Sequence, residues 1–130
     1  MRLLLDTQTW LWMLASPERL SKNTRQLVAD AGTELLLSAA SAWEIAIKHG
    51  IGKLQLPEPA GEYIPRLMAE TRVTPLAIYH RHALHVATLP GHHRDPFDRL
   101  LVAQAQIERL AIVTGDRVFG RYDVRVIAAD

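Results

Sequence analysis

The chain has 130 residues and a formal net charge of +1, and 48% of its residues are hydrophobic against 22% charged. This composition is typical of a folded globular protein and argues against intrinsic disorder. The chain contains no cysteine, which excludes disulfide bridges, thiol catalysis and cysteine-ligated zinc. The length fits one domain, and we expect residues 1–130 to form it.

Five short apolar segments predict five β-strands, the first of which is Arg2–Leu5. Most of them are apolar throughout and do not alternate with polar residues. Such a pattern is typical of strands that are buried on both faces of a parallel sheet. The other four predicted strands are Leu35–Ser38, Val73–Leu76, Ala111–Thr114 and Val124–Ile127.

Helical patterns fill most of the gaps between these strands. Pro96–Leu110 carries an apolar stripe at helical spacing, whereas the connection Gly115–Asp123 is short for a full helix. We therefore predict an α/β fold: a single domain with a central parallel sheet of about five strands and helices on both faces. The other predicted helices are one that contains Trp10 and those over Ser21–Ala31, Ser41–His49 and Pro59–Glu70.

Neither apolar stretch of the chain has the features of a targeting or membrane segment. The N-terminal run ends at Asp6 and is too short for the core of a signal peptide. The stretch Leu35–Ile47 contains Glu44 and is shorter than the ~20 residues that a membrane span requires. We expect a cytoplasmic protein that does not enter a membrane.

Acidic residues lie where the predicted strands end. Asp6 follows the first strand and Asp116 follows the fourth, while Glu44 lies on the helix after the second strand. Asp98 lies in the first turn of the helix that precedes the fourth strand. Because function gathers beyond the carboxyl ends of parallel strands, we expect these four side chains to converge at one edge of the sheet.

The first two acids have structural alternatives that stay open. Asp6 is placed to cap the helix that contains Trp10. Glu44 follows Ser41 by three residues, as in a capping box, and it could also pair with Lys48 at i+4. A carboxylate in so apolar a helix is nevertheless costly unless a positive group meets it.

Each of the acids later in the chain also has a structural interpretation beside the functional one. Asp95 precedes Pro96, the usual order of an N-cap and the first helical residue, and we expect it to be structural. Asp98 then falls at the third helical position, where a carboxylate favours the helix dipole. Asp116 could be an ordinary turn residue.

Four carboxylates at one edge repel each other, which raises the pKa of some of them unless a cation compensates. Oxygen donors select a hard divalent ion such as Mg²⁺ or Mn²⁺ over zinc or copper. Such an ion keeps positions for water and phosphate oxygens, as phosphodiester hydrolysis requires. The histidines between His80 and His93 are a weaker metal candidate, because no carboxylate accompanies them at the usual ligand spacing. We expect His93 to serve loop structure.

Four motifs contain these acids: Leu3–Thr7, Ser38–Ile45, His93–Ala105 and Thr114–Asp116. In this order they resemble the PIN-domain ribonucleases of the VapC toxin type, and the resemblance spans nearly the whole chain. The segment Ile47–Leu54 is similar to a part of one VapC subgroup.

The resemblance implies an endoribonuclease that depends on Mg²⁺ or Mn²⁺, leaves a 5′-phosphate and a 3′-hydroxyl, and forms a toxin–antitoxin pair. Its implied partners are RNA, a VapB-type antitoxin and a second copy of the chain in a homodimer. Thr7 and Thr114 would orient the ligands. Val118 stands where many relatives have another acid, which favours one metal ion over two. The family's catalytic and metal-binding acids fall on Asp6, Glu44, Asp98 and Asp116.

Four cations close to these acids in sequence are candidate phosphate ligands, with surface salt bridges as the alternative. They are Lys48, Arg94, Arg99 and Arg117. Trp10, Trp12 and Trp43 are either core residues or anchors for an apolar antitoxin tail.

Two alternative functions remain open from the sequence. A phosphoacceptor receiver-like domain is similar in size and also has an acidic Mg²⁺ pocket. It would normally have adjacent acids after the first strand, whereas Thr7 and Gln8 follow Asp6 here. The second alternative is a catalytically inactive PIN-like domain that only binds.

Overall fold

The computed structural model describes residues 1–130 and contains one five-stranded sheet in which all neighbouring strands are parallel. The strand order is β3-β2-β1-β4-β5, which confirms the predicted fold class. The strands are β1 (Arg2–Leu5), β2 (Glu34–Ser38), β3 (Val73–Leu76), β4 (Ala111–Thr114) and β5 (Val126–Ala128).

Helices connect the strands and cover both faces of the sheet. Their bounds are α1 (Thr7–Ala15), α2 (Lys22–Ala29), α3 (Ala39–Gly50), α4 (Ala60–Glu70), α5 (His80–His85) and α6 (Pro96–Glu108). Short 3-10 helices occur at Pro17–Arg19, Val86–Thr88 and Arg117–Arg121. No helix combines the length and the apolar composition needed to cross a membrane.

The central strand β1 explains why the core has two halves. Leu3 and Leu5 point into one buried cluster, and Leu4 points into the other. All three side chains are fully buried. Since successive side chains of a strand face opposite sides, an uninterrupted apolar run requires cover on both faces, as the sequence predicts.

Several element boundaries differ from the prediction by one or two residues. The last strand begins at Val126, because only Val126–Ala128 pair with β4, so the predicted strand Val124–Ile127 is two residues too early at its start. Helix α3 begins at Ala39, because the Ser38 hydroxyl accepts the backbone N–H of Ala40 and caps the helix. Ser41 therefore lies inside the helix, and the predicted capping box with Glu44 is wrong.

The strand order determines where the candidate site lies. The chain moves outward from β1 in one direction through β2 and β3, and in the other through β4 and β5. The gap between β1 and β4 is therefore the point where the topology reverses, and open α/β sheets place ligands there. Asp6 and Asp116 follow the two strands that flank this gap.

Candidate functional site

Asp6 leaves the carboxyl end of β1 as a buried carboxylate. Its Oδ1 accepts the backbone N–H of Thr9 at 2.7 Å, which caps α1, and its Oδ2 accepts the Thr114 hydroxyl at 2.5 Å. Burial raises the pKa of Asp6 even though these hydrogen bonds act in the opposite direction. Asp6 thus caps α1, as predicted, and also lies at the edge of the sheet where the candidate site is expected.

Glu44 is a buried carboxylate on α3 with a partner at each oxygen. The Thr7 hydroxyl contacts its Oε1 at 2.7 Å, and Lys48 Nζ donates to its Oε2 at 2.6 Å. The predicted i+4 pair is confirmed, and its hydrogen bond raises the pKa of Lys48. The Thr7 oxygen also lies 2.8 Å from the Ser41 hydroxyl, so it is fixed between α1 and α3.

The start of α6 carries one acid that caps the helix, Asp95, and one that accepts no hydrogen bond, Asp98. Asp95 accepts the backbone N–H of Phe97 at 2.8 Å with Pro96 in the first helical position, which confirms the predicted cap. Asp98 is partly buried and its carboxylate accepts no hydrogen bond. Burial and the nearby charge of Asp95 raise the pKa of Asp98 to about 7.

Asp116 begins the loop after β4 and is held by two donors. Its Oδ1 accepts the backbone N–H of Val118 at 2.9 Å, and its Oδ2 lies 2.9 Å from His93 Nε2. Burial acts to raise the pKa of Asp116, but these two hydrogen bonds outweigh it and the pKa is lowered. The same His93 nitrogen lies 3.9 Å from Asp98 Oδ2, so it stands between the two carboxylates.

His93 is a site residue that the sequence analysis assigned to loop structure. The Tyr122 hydroxyl accepts the His93 backbone N–H at 2.9 Å and lies 3.1 Å from Nδ1, with the two rings stacked. Since this hydroxyl already accepts one N–H, its own proton is free for Nδ1, which leaves Nε2–H to donate to Asp116. No local motif predicts this contact, because His93 and Asp116 are 23 residues apart.

Two of the other histidines, His82 and His85, have structural contacts. His82 is fully buried; its Nδ1 accepts the Tyr79 N–H, and its Nε2 lies 2.9 Å from Glu108. His85 contacts Gln106 at 2.7 Å. These hydrogen bonds connect α5 to α6, so the ring nitrogens of the two histidines stabilise helix packing and do not form a shared metal site.

The four predicted acids line one cleft of about 340 Å³, which we name the acidic cleft. Negative groups outnumber positive ones there, because five carboxylates face two lysines. A surplus of this kind attracts a divalent cation. The charged residues that line it are Asp6, Glu44, Asp95, Asp98, Asp116, Lys48 and Lys53.

Two of the residues predicted to contact phosphate or a partner are instead occupied within the fold. Arg99 donates to the backbone carbonyls of Val86, Leu89 and Pro90, so it fixes a loop and is not free for phosphate. Trp10 is fully buried, so it is a core residue and cannot anchor a partner.

The other two tryptophans are accessible. Trp12 lines a largely apolar cleft of about 310 Å³ with Leu11, Leu56 and Tyr63. Trp43 is 55% exposed.

Comparison with known proteins gives matches over most of the chain. Residues 3–125 match the family model described as PIN domain. "Ribonuclease VapC22" of Mycobacterium tuberculosis (strain ATCC 25618 / H37Rv) is 33% identical over 117 residues, covering 88% of this chain and 86% of that protein. "Ribonuclease VapC16" of the same organism is 48% identical over 62 residues, and this match spans 48% of this chain and 44% of that relative.

Solved structures share the fold at low sequence identity. A chain of VapBC2 from Rickettsia felis, bound to a promoter DNA fragment, superposes with a TM-score of 0.76 at 16% identity and full coverage of both chains. A chain of DNA-bound VapBC from Salmonella typhimurium has a TM-score of 0.69 at 19% identity, covering 98% of this chain and 97% of that one.

Proposed function

The chain belongs to the PIN domain family, and we propose that it is a divalent-metal-dependent endoribonuclease and the toxin of a VapBC-type toxin–antitoxin pair. The observation that carries this proposal is the convergence of four carboxylates from four elements in the acidic cleft. Two relatives named as ribonucleases support the reaction class. Membership of this family makes the receiver-like alternative wrong.

The residues of the acidic cleft fit Mg²⁺ or Mn²⁺. One ligand atom each of His93, Asp98 and Asp116 lies within 4.8 Å of the others, and the predicted acids offer only oxygen donors, which such ions prefer. Burial, with a smaller contribution from neighbouring carboxylates, raises the pKa of Asp6 and Asp98, and a bound cation would favour their ionised forms. We propose that the ion is held by Asp6, Glu44, Asp98 and Asp116.

When bound, the ion would supply Lewis-acid activation of water and would offset the charge of the scissile phosphate. The chain's own groups have distinct tasks. Asp98 is the carboxylate without a hydrogen bond, so its Oδ atoms are free to orient the attacking water and to accept its proton. His93 lowers the pKa of Asp116 and orients its carboxylate through Nε2–H, and the hydroxyls of Thr7 and Thr114 orient Glu44 and Asp6.

Lys48 is the cation best placed to meet the substrate. It is half exposed and held at 2.6 Å from Glu44 in the wall of the acidic cleft. A scissile phosphate entering this cleft would bring negative charge within reach of the same ammonium group. Lys53 lines the same cleft and adds a second positive charge near the entry path.

The proposed partners follow from the relatives. Three of the solved neighbours are chains of complexes that carry the VapBC name, which supports a VapB-type antitoxin. We also propose a homodimer that acts in the cytoplasm. The antitoxin tail would use the cleft beside Trp12 or the surface at Trp43, because Trp10 is buried. We propose that residues 1–130 act as one domain.

RNA cleavage by purified protein tests the function. We expect cleavage of total cellular RNA with Mg²⁺ or Mn²⁺, and a loss of about 100-fold or more in Asp98→Asn. Asp95→Asn is the matched control because asparagine still caps α6, and it should retain most activity. Activity in chelator, or full activity in Asp98→Asn, would contradict the metal site. A folded wild type that binds metal but never cleaves RNA would be an inactive binding domain.

A further inference from the structure

A second cleft lies at the edge of the sheet opposite the acidic cleft. It has a volume of about 460 Å³ and lies between the end of α6 and the beginnings of β1, β4 and β5. Its lining contains three arginines: Arg2 of β1, Arg109 at the C-cap of α6 and Arg125 immediately before β5. We name it the arginine cleft. Its one acidic lining residue is Asp123, so its lining carries a surplus of positive charge.

Two of these arginines have no partner within the chain. Arg2 pairs with Glu34 at 3.2 Å. Arg109 and Arg125 take part in none of the side-chain ion pairs or hydrogen bonds of the protein. Guanidinium groups present five donors in a fixed fork and bind phosphate oxygens well. Two unpaired forks in one cleft therefore offer a binding site for a phosphate group.

The backbone holds both unpaired arginines at fixed positions. Arg109 is the C-cap of α6 in the left-handed conformation, with a φ of 56° and its N–H donated to Ala105. The Arg125 carbonyl accepts the N–H of Ile112 at the start of β4. The two guanidinium groups thus start from anchored chain segments that line the same cleft, which lowers the entropic cost of binding phosphate groups there.

The chain segment between the two clefts carries two more exposed arginines. The chain leaves Asp116 at one edge of the sheet and returns to Arg125 at the other. On the way it carries Arg117 and Arg121, which are exposed and form no ion pair. From Asp98 to Arg109 along α6 the separation is about 16 Å, from 11 residues at 1.5 Å each. A nucleic-acid backbone spans such a distance in a few nucleotides.

We propose that the arginine cleft binds backbone phosphates of the RNA substrate at a distance from the bond that is cleaved. The lining contains no aromatic side chain, so it has no platform on which a base could stack. This favours recognition of the sugar–phosphate backbone over binding of a free nucleotide. The site would hold long RNAs more tightly without reading their sequence. The inference rests on the proposed ribonuclease function.

The test measures binding of fluorescein-labelled poly-uridine by anisotropy, with Asp98→Asn as the parent protein so that the RNA stays intact. The variant adds Arg109→Gln and Arg125→Gln. The matched control adds Lys22→Gln and Arg25→Gln, two exposed and unpaired cations on α2. The two probes are about 30 and about 2 nucleotides long, and the shorter one cannot contact both clefts because they lie about 16 Å apart.

We expect the variant to bind the long probe more weakly, with no change for the short probe. Each lost phosphate contact lowers the slope of log K against log salt by about 0.7 for a single strand, so two contacts lower it by about 1.4. When salt increases from 50 to 200 mM, the affinity of both proteins decreases, and the factor of decrease should be roughly sevenfold smaller for the variant than for its parent. The control should keep the parent's salt slope.

Three results would overturn the proposal. One is a variant that binds the long probe with the parent's affinity and salt slope, and the second is an equal change in the control. The third is displacement of the long probe from the parent by micromolar AMP that the variant resists, which would assign the cleft to a free nucleotide. Failure of the wild type to cleave RNA would instead refute the proposed function, whatever the binding result.

Discussion

Asp98→Asn should stabilise the metal-free protein, and the gain should increase with pH. Burial first, and then the charge of Asp95, raise the pKa of Asp98 from 3.8 to about 7 in the folded chain. When the pKa of a carboxyl group is higher in the folded than in the unfolded chain, the group does not destabilise the fold below its unfolded pKa. The free energy of unfolding then decreases as the pH rises from the unfolded pKa to the folded pKa. The loss therefore accumulates from about pH 4 to about pH 7 and is constant above that.

The structure sets the size of this effect. One pKa unit corresponds to about 1.4 kcal/mol, so the difference between 3.8 and about 7 sets a ceiling of about 4 kcal/mol. Because 27% of the Asp98 side chain faces solvent, screening reduces this value. We expect a gain of about 2 kcal/mol at pH 8, equivalent to roughly 8 °C in melting temperature for a domain of this size.

Thermal unfolding followed by circular dichroism in chelator at pH 5 and pH 8 measures the gain. Asp123→Asn is the control, since it removes an aspartate charge from an exposed position and should show no comparable increase between the two pH values. A gain for Asp98→Asn that is equal at both pH values, or a loss of stability at pH 8, would refute the electrostatic reasoning.

Two further predictions concern the same cleft. Mn²⁺ at about 100 times its Kd should raise the unfolding free energy of the wild type by about 2.7 kcal/mol, and Glu44→Gln should reduce this gain; a wild-type melting curve that millimolar Mn²⁺ leaves unchanged would contradict the metal site. His93→Ala should weaken Mn²⁺ binding by about 10- to 100-fold in calorimetric titration, while His93→Gln, whose amide can still donate to Asp116, should restore part of the affinity. Equal affinities in the two variants would exclude the proposed hydrogen bond.

Features that depend on local sequence were predicted well. Three strands, Arg2–Leu5, Val73–Leu76 and Ala111–Thr114, have the predicted bounds. All of Ala111–Thr114 is buried, as a continuous run with both faces covered requires, whereas the edge strand Val73–Leu76 leaves Thr74 and Pro75 exposed. The cap at Asp95 depends on its own side chain and the next two residues. The i+4 pair of Glu44 with Lys48 follows from helix geometry alone.

Helix α5 shows where local patterns fail. His80–His85 is short and polar and has no apolar stripe, so it was not predicted. Its position depends on His82 and His85, which bond to Glu108 and Gln106 on α6. Short helices of this kind are stabilised by tertiary packing more than by propensity.

The sequence by itself determined the parallel α/β architecture and the presence of acids after the strands, since both follow from which residues are apolar and where the runs end. Only the tertiary structure brought His93 to Asp116 across 23 residues and left Asp98 without a donor. It also brought Arg2, Arg109 and Arg125 from three chain segments into one cleft. Side-chain contacts between distant segments depend on strand order and helix packing, and no local pattern encodes those distances.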